Sequence, residues 1–380
     1  MIKCKFKFLI TFMFFLFSLI LFYSCGNIDK KDYEAVKKIF KDNDRIFDDE
    51  IFNKITQIEN RRVVSLDLSE KKLTVIPEEI GQLQELIELQ IKKNDIDTLP
   101  ESICSLKNLE TLILSGNKLQ ILPENFGKLT GLKKLEITNN YIRKLPESFE
   151  NLINLEWFEF DNLETLPDGF SNLKKLWCVS CAYDYTKNIP FQLWENRNIK
   201  DLLITNNSTD ALGEMPEEIG NLTNLETLYF EGCYTKLPDS IGDLRNLKSL
   251  NLIGNFDKIP ETVCGMVKLQ SMRIKSKPLI TIPSELYELM NLEILYLLDN
   301  KLEYLPYGIS KLKKLRILDL DNNDLTALPL DIFETSHWKK EDGFLLSIKG
   351  NKICNVTKEQ YEWLKEYINP DWRKSQRCQP

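Results

Sequence analysis

The sequence contains a single histidine, His337, in 380 residues. Histidine is the usual general base of hydrolytic triads, so a Ser/His/Asp arrangement in this chain would have to be built around that one position. The sequence also lacks a P-loop, a GxGxxG motif after a strand, an HExxH motif and paired metal-ligand spacings. These absences predict a non-enzymatic protein with no cofactor and no metal site.

Basic residues are in deficit as well, with 50 Lys and Arg against 57 Asp and Glu. The first 24 residues carry three lysines and no acid, so a mature chain that starts at Cys25 would have 47 bases, 57 acids and a net charge of −10. Such a surface disfavours nucleic acid and anionic lipid as main partners. We therefore expect membrane contact only through a lipid or N-terminal anchor.

Proline recurs at a nearly constant interval across most of the chain, always after Leu, Ile or Met. Successive gaps are 21 to 26 residues, and 23 is the commonest. A period of this length predicts a solenoid, in which each unit packs only on its neighbours. The prolines of the series are Pro77, Pro100, Pro123, Pro146, Pro167, Pro190, Pro216, Pro238, Pro260, Pro283, Pro306 and Pro329.

One unit, LETLILSGNKLQILPENFGKLTG at 109–131, shows what each part does. Side chains alternate along a strand, so Leu112 and Leu114 enter the core while their neighbours line an open face. Asn117 lies where the chain leaves the strand, and its amide can bond backbone groups of its own and adjacent coils. The predicted ladder comprises Asn94, Asn117, Asn140, Asn207, Asn255, Asn300, Asn323 and Asn351.

The repeat LPxxIGxLxxLxxLxLxxNxL resembles the leucine-rich repeats of bacterial surface or secreted lipoproteins and of Ras-group repeat proteins. It covers about three quarters of the chain. The resemblance implies an α/β fold, a solenoid with a curved parallel sheet on the concave face and short helical or irregular segments on the convex face. It also implies a protein ligand and no catalytic role.

The two ends of the chain lie outside the repeats and have different sequence patterns. Residues 1–24 have a basic start and an apolar run, which is typical of a secretory signal. Ser24, Cys25 and Gly26 after that run resemble a bacterial lipobox, which implies acylation of Cys25; the alternative is an uncleaved anchor helix. We assign 25–62 to a linker and helical cap, 63–353 to about 13 repeats, and 354–380 to a second helical cap. Cys354 and Cys378 flank the C-terminal helix and could pair in an exported protein.

The open face of the sheet is polar in the early coils and more apolar later. Aromatic and branched residues interspersed with charges are typical of a recognition surface, although single exposed apolar residues are common on any protein. We expect Trp157, Leu203, Tyr229, Ile253 and Tyr296 to form one stripe across neighbouring strands. The predicted surface also includes Glu159, Asp161, Glu231, Arg273 and Leu298.

The sequence thus predicts an exported module that binds a protein through its concave face, with adhesion or host interaction as the setting. It would be an outer-membrane or cell-surface lipoprotein, or else secreted or periplasmic. An envelope scaffold that organises other bacterial proteins is the alternative, and an enzyme is the least favoured. The ligand and the oligomeric state stay open.

Overall fold

The structure is a computed structural model that describes residues 28–183, 189–206, 213–335, 338, 343–368 and 371–378. Cys25, at the predicted lipidation site, lies outside the described residues, and so does His337. Within the described ranges no helix has both the length and the apolar character needed to cross a membrane.

One sheet holds fourteen strands of the described chain, and they follow one another in chain order. β1 pairs with β2 antiparallel, and every later pair is parallel. The thirteen strands from β2 onward confirm the predicted parallel solenoid. The strands are β1 Thr56–Glu59, β2 Arg62–Asp67, β3 Glu88–Gln90, β4 Thr111–Ile113, β5 Lys134–Glu136, β6 Trp157–Asp161, β7 Cys178–Tyr183, β8 Asp201–Asn206, β9 Thr227–Glu231, β10 Ser249–Gly254, β11 Ser271–Ser276, β12 Ile294–Tyr296, β13 Ile317–Asp319 and β14 Leu345–Ser347.

Short 3₁₀ helices return the chain along the convex side, and most of them begin directly after the repeating proline. Pro100, for example, has φ −70° and ψ 147°, an extended conformation that leads into the helix Glu101–Ser105. Ile103 of that helix is fully buried against the strands. The other convex helices are Glu78–Gln82, Phe126–Lys128, Glu147–Asn151, Asp168–Asn172, Phe191–Glu195, Glu217–Asn221, Asp239–Asp243, Glu261–Gly265, Ser284–Glu288, Ile309–Lys311 and Leu330–Ile332.

Asparagine side chains join adjacent coils through their backbone. Asn117 Nδ2 donates to the carbonyls of Leu114 (2.8 Å) and Ile91 (2.9 Å), and its Oδ1 accepts from the amide of Ile96 (3.3 Å). The Leu114 carbonyl also accepts from Asn140 Nδ2 at 3.1 Å, so neighbouring asparagines share acceptors. The same bonds recur in two runs, Asn94, Asn117 and Asn140, then Asn300, Asn323 and Asn351.

The prediction fails at Asn255, which is exposed. Its coil is one residue shorter after the asparagine position, so the chain turns inward at Phe256, which is 2% exposed and fills the core. Ser276 of the next coil is fully buried and donates its hydroxyl to the Phe256 carbonyl. Asn207, another predicted member, lies outside the described residues.

The interval between the two asparagine runs contains the longest parallel strands after β2. β6 to β11 have five or six residues each, whereas β3 to β5 and β12 to β14 have three. At the end of β7, Tyr183 is fully buried at the position that Gly116 holds in a regular coil. Gly116 has φ +74° and turns the chain, whereas Tyr183 continues the strand. The sheet is therefore wider, along the strand direction, across the middle coils.

The N-terminal cap consists of α1 Lys30–Asp42, α2 Asp49–Ile55 and the strand β1. The sequence predicted a helical cap here, and the cap contains two helices, but the sequence did not predict β1. Asn60 and Arg61 make the turn between β1 and β2 with φ 48° and 71°. This hairpin adds one antiparallel strand to the sheet edge that the first coil would otherwise leave open.

Asp32 of α1 anchors the cap to the sheet. Its side chain is fully buried and accepts from Arg62 Nε (3.0 Å), Arg62 Nη2 (2.9 Å) and the Val63 amide (2.8 Å). A buried carboxylate is tolerated only when its lone pairs are satisfied in this way. We expect cap and first coil to fold together for this reason.

At the other end, α3 Lys358–Tyr367 and a short helix Trp372–Ser375 cover the last coil. The Sγ atoms of Cys354 and Cys378 are joined at 2.07 Å, with a Cα separation of 5.7 Å. Next to the bridge, the Arg377 guanidinium donates to the Gly350 carbonyl (2.7 Å) and to Asp324 Oδ1 (2.8 Å). The C-terminal segment is thereby tied to the edge of the solenoid.

Gln376 adds one more rung to the asparagine ladder. Its Nε2 donates to the Ile348 carbonyl (2.9 Å), which Asn351 Nδ2 also bonds (2.9 Å), and its Oε1 accepts from the Ile353 amide (3.3 Å). Asn351 joins the preceding coil by equivalent bonds, because its Nδ2 donates to the Leu320 carbonyl and its Oδ1 accepts from the Leu325 amide. Buried backbone groups that a following repeat would have satisfied are thus satisfied by the chain terminus.

Candidate functional site

The concave face carries side chains in three rows, set by the in-register pairing of parallel strands. The first row includes Trp157, Cys178 and Asp201 on consecutive strands. The middle row runs through Leu203, Tyr229, Asn251, Arg273, Tyr296 and Asp319. The third row includes Asp161, Ala182, Thr205, Glu231, Ile253 and Lys275.

The predicted stripe does not follow a single row. Leu203, Tyr229 and Tyr296 share the middle row, but Trp157 lies in the first and Ile253 in the third. The row of each side chain follows from its place in the unit, since Trp157 stands two residues after Leu155 and Tyr229 four residues after Leu225. The stripe is therefore a broad patch over β6 to β12.

Two residues alter the middle of that patch. Arg273, which the sequence assigned to the predicted surface but not to the stripe, lies in the middle row two strands from Tyr229 and beside Tyr296. Asn251 occupies the strand between Arg273 and Tyr229 and was not singled out from the sequence. The alternation from Ser249 would have placed Asn251 on this face, because the two are two residues apart.

Trp157 is held in a fixed position by polar and aromatic neighbours. Its Nε1 donates to Glu159 Oε1 at 2.7 Å, and the Lys134 ammonium lies 5.4 Å from the ring centroid. Trp177 packs edge-to-face against it at 5.9 Å. The indole is only half-buried, so a fixed aromatic surface remains open to a partner.

Tyr229 is positioned in a similar way. Its hydroxyl donates to Glu231 Oε2 at 2.6 Å, and burial together with this bond raises the pKa of Tyr229 to about 12. Leu203, on the neighbouring strand, is 37% exposed. An aromatic ring with its polar end already bonded presents mainly its apolar face.

The carboxylates of this region are partly withdrawn from water. Burial raises the pKa of Glu159, Glu136 raises it further, and the Trp157 N–H and Lys134 partly offset both. Burial also raises the pKa of Asp201, whose carboxylate accepts from Thr227. Asp161 Oδ2 accepts from the Asn139 amide at 2.5 Å. Glu159 and Asp201 therefore carry negative charge in a setting where water solvates it poorly.

The surface changes beyond β11. Ile294, Ile317 and Leu345 are directly paired in the first row, and Leu345 is 59% exposed. Tyr296 and Leu298 lie beside them and are half-buried. Between this region and the acidic one, Lys275 Nζ bonds Asp299 Oδ2 at 2.8 Å.

A groove of about 610 Å³ opens elsewhere, along the edge where the first strands begin. Its walls include Glu59, Arg62, Glu85, Lys107 and Glu110, so charges of both signs compensate one another. It is broad and lacks the aromatic anchors of the concave patch, which we regard as the better site. Among the described residues, no group of three or more His, Cys, Asp or Glu is arranged to hold a metal.

Comparison with family models matches residues 61–119, 107–154 and 314–335 to leucine-rich repeats. Together with the parallel solenoid and its asparagine ladder, these matches decide the family. The chain is a leucine-rich repeat protein. Leucine-rich repeats are typically non-enzymatic scaffolds for protein interaction, and the fold supports a protein-binding module.

Solved structures of the same fold come from distant sources. A leucine-rich repeat protein of Leptospira interrogans is 29% identical, with 81% of each chain covered and a TM-score of 0.59. An internalin of Listeria monocytogenes is 16% identical over 93% of this leucine-rich repeat protein and 96% of that chain, with a TM-score of 0.60. The Drosophila Toll–Spätzle complex is 23% identical over 78% of this chain and 41% of that one, with a TM-score of 0.65. Comparison with curated proteins gives no match.

Proposed function

We propose that this leucine-rich repeat protein is an exported, lipid-anchored module that binds a protein ligand through its concave face. The observation that carries the proposal is a set of three half-buried aromatic side chains on one face of the continuous sheet, Trp157 on β6, Tyr229 on β9 and Tyr296 on β12. Large aromatic side chains that are held in place before binding lose little conformational entropy and usually dominate interface energy. The signal-like segment and Cys25 support export and anchoring.

The binding test compares matched tyrosines on opposite faces. Tyr229→Ala should weaken binding of the natural partner by about 2 kcal/mol or more, because an anchor is removed. Tyr307→Ala removes the same side chain from the convex side, where Tyr307 is 70% exposed, and should change binding little. Partner captured from cells should be measured against both purified variants by calorimetry or surface plasmon resonance. Loss of binding with Tyr307→Ala alone would refute the concave site.

The anchoring test uses Cys25→Ala. If the thiol is acylated, the variant should lose labelling by a fatty-acid precursor and move to the aqueous phase in a detergent partition. Continued detergent partitioning without label would favour an uncleaved anchor helix. Protease added to intact cells then separates a surface protein from one facing the periplasm.

An envelope scaffold is the second candidate, and one feature of the convex side favours it. Tyr304, Tyr307 and Leu330 are 56%, 70% and 63% exposed, and they lie near the prolines of two adjacent coils. In the early coils the residue after the proline is instead an acid such as Glu101. A scaffold that binds through this outer surface would reverse the expected order of the two tyrosine variants.

A further inference from the structure

The concave face is divided by charge along the solenoid. On β5 to β9 its side chains include five acids and one base, Lys134. On β10 to β14 they include one acid, Asp319, and two bases, Arg273 and Lys275. The five acids are Glu136, Glu159, Asp161, Asp201 and Glu231. The first region therefore has a net charge of −4 and the second of +1.

Charge in the first region is only partly neutralised within the protein. Lys134 pairs with Glu136 at 2.7 Å, whereas Glu159 and Glu231 accept from the neutral donors Trp157 and Tyr229. Burial disfavours ionisation of Glu159 and Asp201. A cation brought to these carboxylates would replace lost hydration and lower the free energy of their ionised form.

The second region offers a different surface. Ile294, Ile317 and Leu345 follow one another in a single row with direct pairing, and Tyr296 lies beside that row. Such contiguous apolar side chains bury surface favourably only against another apolar group. Lys275 of this region is already bonded to Asp299, so its charge is compensated.

The two regions lie within reach of one peptide. Seven strand spacings separate β6 from β13, which is ~34 Å at ~4.8 Å per spacing, and an extended chain covers that distance in ~10 residues. A segment lying across the strands would meet the acidic carboxylates first and the apolar row last. A single flexible or extended segment is therefore long enough to satisfy both.

We infer that the occupant of the concave face is an extended protein segment whose cationic part lies over β6 to β9 and whose apolar part lies over β12 to β14. This inference rests on the proposed function, because it assumes that the concave face is the binding surface. It adds the chemical class of the ligand and the direction in which the ligand lies.

The test uses fluorescein-labelled twelve-residue peptides with three lysines in one half and three leucines in the other, separated by serines and made in both orders. At low salt, the double variant Glu159→Gln with Asp201→Asn should weaken binding of the better peptide about tenfold, and the difference should fade in high salt. The matched control, Glu124→Gln with Glu261→Gln, removes the same charge from exposed convex positions and should change affinity less than twofold.

Placement is read by photo-crosslinking from a benzophenone at either end of the peptide. The leucine end should label residues 294–298, 317–319 and 345–347, and the lysine end residues 157–161 and 201–205. The inference is overturned if a peptide with glutamates in place of the lysines binds equally well, if the control variant weakens binding as much, or if the labels are reversed. If Tyr229→Ala abolishes binding of the natural partner while any of those results is obtained, the proposed function stands. Only the assigned chemistry and direction of the ligand are then wrong.

Discussion

Asn94 and Asn117 make similar bonds but should differ clearly in what they contribute to stability. Asn94 Oδ1 accepts from the amides of Lys71 and Leu73, both at 3.0 Å, and its Nδ2 donates to the Leu68 carbonyl at 2.9 Å. Asn94→Leu removes all three bonds. Asn94 also bonds the Ile91 carbonyl, but Asn117 Nδ2 continues to bond that group.

Asn117→Leu has a smaller effect because its carbonyl acceptors are shared. Ile91 retains its bond from Asn94, and Leu114 retains its bond from Asn140, so only the Ile96 amide loses its asparagine partner. Each buried polar group left unsatisfied costs about 1 to 3 kcal/mol. We therefore expect Asn117→Leu to destabilise by about 1 to 3 kcal/mol and Asn94→Leu by about 3 kcal/mol or more.

Urea unfolding monitored by circular dichroism measures both values. An unchanged slope of the free energy of unfolding against urea concentration would show that the variants expose the same surface area on unfolding. Asn224→Leu is the control, because Asn224 is exposed and also donates to a carbonyl of the preceding coil, that of Arg197, at 2.9 Å. Its effect should stay within about 0.5 kcal/mol. Equal losses for Asn94→Leu and Asn117→Leu would refute the idea that shared acceptors protect the ladder, and an equal loss for Asn224→Leu would refute the role of burial.

Four further outcomes follow from contacts described above or from burial. Gln376→Ala should destabilise the protein by about 1 to 3 kcal/mol in the same urea assay, because the Ile353 amide loses its partner. Reduction of the Cys354 to Cys378 bridge should increase protease cleavage of the C-terminal segment before the repeats unfold. Cleavage of the segment and of the repeats at the same time would contradict this order. Glu159→Gln should stabilise the protein at neutral pH, since burial raises the folded-state pKa of Glu159 above its ordinary 4.5. This gain in the free energy of unfolding should disappear as pH falls through that raised pKa. A gain that does not depend on pH would exclude the charge as its cause. Tyr287→Phe should be neutral or slightly stabilising in thermal unfolding, because the buried Tyr287 hydroxyl has no hydrogen-bond partner among the described residues, whereas a marked loss would reveal one.

The repeated part of the fold could be predicted because period and alternation act locally. A proline every 23 residues and a Leu pair such as Leu112 and Leu114 determine the turn, the strand and its inner face without reference to distant residues. Asn117 could be assigned to a ladder for the same reason. These features depend on the unit itself, and thirteen copies make the pattern unambiguous.

Features that depend on how units of unequal length meet could not be predicted. Asn255 matches the motif but is exposed, because the shortened coil brings Phe256 inward. The rows of the concave face, by contrast, were accessible from the sequence, because Trp157 stands two residues after Leu155 and Tyr229 four residues after Leu225, and strand pairing keeps these two unit positions in separate rows.

The ends were predicted least well because they have no repeat to compare with. β1 is a four-residue strand beside a helix, and its pairing with β2 depends on a long-range fit. Gln376 shares no motif with Asn351, yet its longer amide side chain reaches the same kind of backbone groups from a terminal loop. A side-chain amide that makes equivalent bonds from outside the repeats has no repeat position by which it could be recognised in the sequence.

The position of Gln376 also limits how this protein can change in length. The segment that carries Gln376 already occupies the place where another unit would attach, and the Cys354 to Cys378 bridge holds it there. A unit appended after the last coil would have to displace this segment, whereas a unit duplicated between two regular coils would find matching asparagine bonds on both sides. Growth by internal duplication is therefore compatible with the closed end. The same closure deprives a second molecule of a matching surface, so copies of this solenoid should not join tail to head into a fibre.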